Sequence, residues 1–135
     1  MGKLKAVFLI VLLLSGMAAE ASRKQFVGVW EHISGDPIWA RLEIDKHMNV
    51  RAYRFCGAIA CDLPMRFRVK TYGRSRFSLN HTLAKGWIYD TGEQFVANEY
   101  FEIQGNKLVL REYQRYLEPN GRADQTHRMK FELSH

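Results

Sequence analysis

Apolar and polar residues alternate with a period of two along much of the chain. In IWARLEI, Ile38, Ala40, Leu42 and Ile44 alternate with Trp39, Arg41 and Glu43. In MRFRVKT, Met65, Phe67, Val69 and Thr71 alternate with Arg66, Arg68 and Lys70. In HRMKFEL, Met129, Phe131 and Leu133 alternate with Arg128, Lys130 and Glu132. Side chains of a strand point to opposite faces in turn, so this pattern marks strands with one face buried and one wet. QFVANEYFEI and KLVLREYQRYL are longer, rich in aromatic and β-branched residues, and separated by QGN, a hairpin signal. DKHMN, DTGE and EPNGR supply further turns, Asn120-Gly121 being the strongest. No segment after residue 21 shows helical amphipathicity. About eight strands at regular spacing predict an all-β domain, an up-and-down antiparallel barrel or a sandwich.

The N-terminus follows a different rule. Lys3 and Lys5 precede an uninterrupted apolar run from Ala6 to Leu14, and the small residues of MAAEA follow it. These are the three regions of a secretory leader, with cleavage expected after Ala21. The run falls well short of the ~20 apolar residues that span a bilayer. No Cys follows it to carry a lipid anchor. The expected product is a single exported domain, 22–135, periplasmic or secreted, with no membrane span. Losing Lys3, Lys5 and Glu20 lowers the net charge from +6 to +5, which is basic but not extreme.

The most basic stretch is MRFRVKTYGRSRF, and strand geometry accounts for most of it. Arg66, Arg68 and Lys70 share the face opposite Met65, Phe67 and Val69, as an outer barrel face requires. No recognition helix, zinc finger or ribonucleoprotein motif accompanies them, so nucleic acid is not the expected partner. Together with Arg51, Arg54, Arg74, Arg76, Arg111 and Arg115, they instead favour an anionic surface or protein face. Trp39, Tyr53, Tyr72 and Tyr113, beside these arginines, are the candidate contact aromatics.

Export makes a disulfide the expected state of the only two cysteines, Cys56 and Cys61 in CGAIACD. The short loop predicts a modest gain of about 2–3 kcal/mol. Redox chemistry would need the C-x-x-C spacing, and a zinc site two further ligands at ligand spacing. Catalysis has no visible apparatus. The five histidines are scattered, and no G-x-S-x-G, HExxH or Gly-rich phosphate loop occurs. No enzyme activity and no cofactor are therefore expected. Asn80-His81-Thr82 fits a glycosylation acceptor, of consequence only in a eukaryotic host.

Two strands carry carboxylates on an apolar face. Glu99 shares its face with Phe95, Ala97, Phe101 and Ile103, and Glu112 and Gln114 share theirs with Leu108 and Leu110. If these faces point inward, the barrel holds polar groups that need partners. The favoured expectation is that strand twist or a bulge turns them outside.

RLEID, VRAYRFCGAIACD and KLVLREYQRYLEPNGRADQTHRMKF together resemble a group of small exported bacterial β-rich proteins of unassigned function. The matching positions are Cys56, Cys61 and Asp62, then Arg115 and Tyr116, Gly121, Arg122 and Asp124, and Thr126 and Arg128. Leu63-Pro64 and Pro119-Asn120 depart from the pattern. The resemblance implies a fold but no activity. FVGVW, Phe26 to Trp30, is similar to the Gly-x-Trp opening of lipocalins and their calycin relatives. That likeness implies an eight-stranded barrel with Trp30 in its floor and Arg128 set against it.

Three functions follow from these expectations. The first is a non-enzymatic exported barrel that binds a partner within a cell-envelope assembly. The second is a calycin-like carrier of a small apolar ligand, and the third an exported hydrolase or enzyme inhibitor. The third is weakest, because no nucleophile–base pair is present and an inhibitor of cationic lysozymes would be acidic.

Overall fold

In the computed structural model, residues 23–117 and 121–134 are described. The expected leader, 1–21, and Pro119 and Asn120 of the strongest turn lie outside the described residues. Nine strands follow in chain order: β1 (Gly28–Gly35), β2 (Trp39–Ile44), β3 (Asn49–Cys56), β4 (Ile59–Ala60), β5 (Met65–Tyr72), β6 (Leu83–Asp90), β7 (Phe95–Gln104), β8 (Lys107–Tyr116) and β9 (Gln125–Leu133). All pair antiparallel in the order β2-β1-β9-β8-β7-β6-β5-β3-β4, and β2 also pairs with β3. That last pairing closes eight strands into an up-and-down barrel and leaves β4 as an addition to β3. The sandwich alternative is thereby excluded. QGN makes the expected hairpin: Gln104 pairs with Lys107, and Gly105 takes the left-handed backbone that a side chain disfavours.

The alternating pattern places its apolar set inside. Trp30, Leu42, Val50, Ala52, Ala84, Ala97, Phe101, Leu110, Met129 and Phe131 are all buried in one cluster. Phe26, in the turn before β1, is fully buried at one end, and its carbonyl accepts a hydrogen bond from Trp30 Nε1 at 2.8 Å. Trp30 thus ties the floor to the wall. Arg128, expected inside against Trp30, is instead exposed on the outer face. β8 and β9 pair without a shift, so Met129 and Phe131 point in and Arg128 must alternate out.

Glu99, Glu112 and Gln114, candidates for the barrel interior with Trp30 and Phe101, do lie inside, and the twist or bulge expected to turn them out is absent. β7 and β8 pair in unbroken register from Phe95↔Tyr116 to Gln104↔Lys107, with no bulge to rotate a face. Both glutamates consequently lie inside at 0 % exposure, and Gln114 is also buried.

At the other end of the barrel β3 turns into β4, and Cys56 and Cys61 form the expected disulfide across that turn. Cys61 N–H also donates to the Arg54 carbonyl at 2.8 Å. Replacing both cysteines by Ser should cost about 2 kcal/mol, because the loop closed is short. Denaturant unfolding of the double variant beside the oxidised chain measures this. A loss near zero would mean that the hairpin's own hydrogen bonds hold the loop.

Candidate functional site

Two features stand out from the ordinary barrel: its outer wall over β5 to β9, and an acid pair inside. On the wall, β5 presents Arg66, Arg68 and Lys70, all exposed. β6 adds Lys85, Trp87 and Tyr89; β7 adds Tyr100; β8 adds Arg111, Tyr113 and Arg115; β9 adds Arg128. Trp87 is 63 % exposed, far more than a tryptophan in a monomer's wall requires. Tyr100 and Tyr113 meet edge to face at 5.6 Å.

Among the described residues, none of Arg66, Arg68, Lys70, Lys85, Arg111, Arg115 and Arg128 forms an ion pair. The opposite wall neutralises its own charges: Arg41 pairs with Glu31 at 2.9 Å and Arg51 with Glu43 at 3.1 Å. Arg54 and Arg74, counted from sequence among the cations facing a partner, are engaged within the chain by Asp90 and Glu102. Among the described strand residues, the wall over β5 to β9 thus carries seven cations that no ion pair engages.

The expected contact aromatics divide. Tyr113 is exposed, and Tyr72 is half-buried with Lys85 Nζ 5.5 Å from its ring centre. Tyr53 is half-buried and donates to Glu43 at 3.2 Å. Trp39 is only 1 % exposed and is no surface contact. The ladder between β2 and β3 shifts between Trp39 and Arg41, and this irregularity turns the indole into the barrel. Trp87, Tyr89 and Tyr100 take its place on the surface, and sequence reasoning did not single them out. The signal was available in KGWIYD, where Lys85, Trp87 and Tyr89 share one face and Gly86 and Ile88 the other.

Inside, Trp39 Nε1 donates to Glu112 Oε1 at 3.0 Å, and Gln114 Nε2 donates to Glu112 Oε2 at 2.6 Å. Tyr116 Oη donates to Gln114 Oε1 at 3.1 Å. Arg54 stacks on the Trp39 ring, 5.4 Å from its centre, while holding Asp90 at 2.9 Å. Glu99 lies directly across from Glu112, with Gly86 on its other side. Neither Glu99 oxygen meets a donor. Burial first, then the facing Glu112 carboxyl group, hold the Glu99 carboxyl well above the usual carboxylate range. With its proton Glu99 has a donor to turn toward Glu112; without it, two like charges face each other in the core. A proton kept on Glu99 removes that repulsion. At 0 % exposure both carboxyl groups are enclosed by the barrel.

Among the described residues no group of three or more His, Cys, Asp or Glu side chains is placed to hold a metal ion. No described helix is long and apolar enough to cross a membrane. Compared with models of known protein families, with curated proteins and with solved structures, the chain matches none.

Proposed function

We propose that this chain is a non-enzymatic, exported binding protein, an accessory subunit of a cell-envelope assembly, that docks through its outer wall. The observation that carries the proposal is the wall over β5 to β9, where unpaired cations surround Trp87, Tyr89, Tyr100 and Tyr113. Exposed aromatics among arginines are the composition that protein interfaces favour. The disulfide supports export, since such bonds persist in oxidising compartments. The opening Gly28-x-Trp30 resembles that of calycin-like barrels. A lumen filled from Trp30 through Phe101 to Phe131 nevertheless favours the wall over the interior as the binding face.

The test is substitution of Arg66, Arg68 and Lys70 together by Ser, with native mass spectrometry on protein purified gently from its host's exported fraction. The wild-type chain should carry a polypeptide partner, and the triple variant should bind it about tenfold more weakly or worse, as three rim charges at up to ~1 kcal/mol each allow. Folding stability should change by less than about 0.5 kcal/mol, because all three side chains are exposed. A small-molecule adduct on an otherwise monomeric chain, retained by the variant, would replace this proposal with the carrier.

A further inference from the structure

We propose that the outer wall binds a linear acidic polysaccharide laid across the strands, on the row Lys70, Lys85, Tyr100, Arg111 and Arg128. The inference rests on the wall being the binding face and names the chemistry it recognises. The row is a product of register. Lys70 pairs with Lys85, Lys85 with Tyr100, Tyr100 with Arg111, and Arg111 with Arg128. All five side chains are exposed on five consecutive strands. Neighbouring strands lie about 4.8 Å apart, so the row spans roughly 19 Å along the curve of the wall.

Its composition runs against the chain's own stability. Like charges directly opposite on neighbouring strands destabilise a sheet, and the row holds two such pairs, Lys70 with Lys85 and Arg111 with Arg128. The nearby carboxylates do not relieve them: Glu102 is held by Arg74 and Glu132 by Lys107. A ligand that brings its own negative charges would relieve them beyond the screening that water and salt supply.

The surface is shaped to match. A groove of about 690 Å³ runs past Lys70, Lys85, Trp87 and Tyr100, and a second of about 390 Å³ runs past Tyr100, Arg111 and Tyr113. Asn98 and Tyr100 line both, so the two grooves adjoin at these side chains, with Arg128 on the strand beyond the second groove. Successive sugars of an extended chain repeat on a scale comparable to the strand spacing of about 4.8 Å. The C–H faces of sugar rings pack on aromatic rings, their carboxylates pair with Lys and Arg, and their hydroxyls suit an amide such as Asn98. A flat lipid surface matches less well, since the row wraps a convex wall and the exposed aliphatic residues Ile59, Leu63 and Leu79 lie off it. Single-stranded nucleic acid shares the combination of cations and stacking rings, so it must be tested directly.

The experiment titrates the full exported chain with an oligogalacturonate long enough to cross five strands, followed by calorimetry and by tryptophan fluorescence. Trp87 is the exposed reporter, while Trp30 and Trp39 are buried. Binding should be seen, should weaken as salt rises, and should be absent with a neutral maltooligosaccharide of equal length. Lys85→Ser with Arg111→Ser should reduce affinity at least tenfold, and Tyr100→Ala should do likewise. The charge-keeping pair Lys85→Arg with Arg111→Lys should restore most of it, and Arg41→Ser on the opposite wall should change nothing. The proposal is overturned if the neutral sugar binds equally, if an oligothymidylate of matching length binds more tightly, or if the row variants bind like wild type. Should the row variants bind the oligogalacturonate like wild type while the Arg66, Arg68 and Lys70 variant still loses a polypeptide partner, the polysaccharide falls and the docking wall stands. Should no wall variant lose any partner, the docking wall itself falls.

Discussion

Glu99→Gln should make the protein more stable at neutral pH, and the gap between variant and wild type should widen as pH rises. The physical cause is the raised pKa of Glu99, set by burial and by Glu112 opposite. A carboxyl whose folded pKa lies above its unfolded one binds its proton more tightly in the folded chain. Between those two values the unfolded state releases the proton and the folded state keeps it, so stability falls with rising pH. The slope is about 1.4 kcal/mol for each pH unit crossed, beginning near the unfolded value and ending at the folded one. Below the unfolded pKa the stabilising effect of the bound proton is fully present. Glutamine keeps the shape, carries its own donor toward Glu112, and has no proton to lose. Denaturant midpoints of the two proteins across the acid to mildly alkaline range give the comparison. Parallel curves would show that Glu99 is ionised in the folded chain, and the proton held on Glu99 would then have to be abandoned.

Removing Trp39 should be among the most damaging single changes to the fold. Its ring is buried, donates to Glu112 and supports the guanidinium of Arg54. Trp39→Ala should cost about 3–5 kcal/mol, as deletion of a large core aromatic does. Trp39→Phe separates packing from hydrogen bonding. It keeps most of the buried area and leaves Glu112 Oε1 without its donor, a loss of about 1–3 kcal/mol. Denaturation of both variants, with circular dichroism confirming the barrel, distinguishes the contributions. A Phe variant as stable as wild type would mean that the indole N–H adds nothing.

The sequence was most legible where one rule governed a whole strand. β5 alternates apolar residues with Arg66, Arg68 and Lys70, and the structure puts those cations on the outside. β6 was harder to read because its faces are reversed in bulk. Gly86 turns no side chain inward, while Trp87 and Tyr89 stand outside, so the usual correlation of size with burial fails there. Trp39 was misplaced because a register shift in one ladder leaves no mark in a local pattern. For the acids, periodicity placed Glu99 and Glu112 on the apolar face, and the expectation of their escape came from the cost of burying them. The donor that offsets that cost for Glu112 is 73 residues away, at Trp39, and no local window contains it. The row on the wall is likewise invisible to any single segment. It exists only once four separate ladders have fixed their registers.

Closure of the sheet by β2 and β3 has a consequence for how copies of this protein behave when crowded. Among the described residues, the strand left with an open side is β4, two residues long and tethered by the neighbouring disulfide. A longer free strand could template a neighbour's backbone, growing into swapped dimers or fibrils, or could capture an extended peptide as an added strand. Here so little backbone is on offer that association must be read through side chains. Solutions of the pure protein should therefore tolerate high concentration without strand-to-strand aggregation.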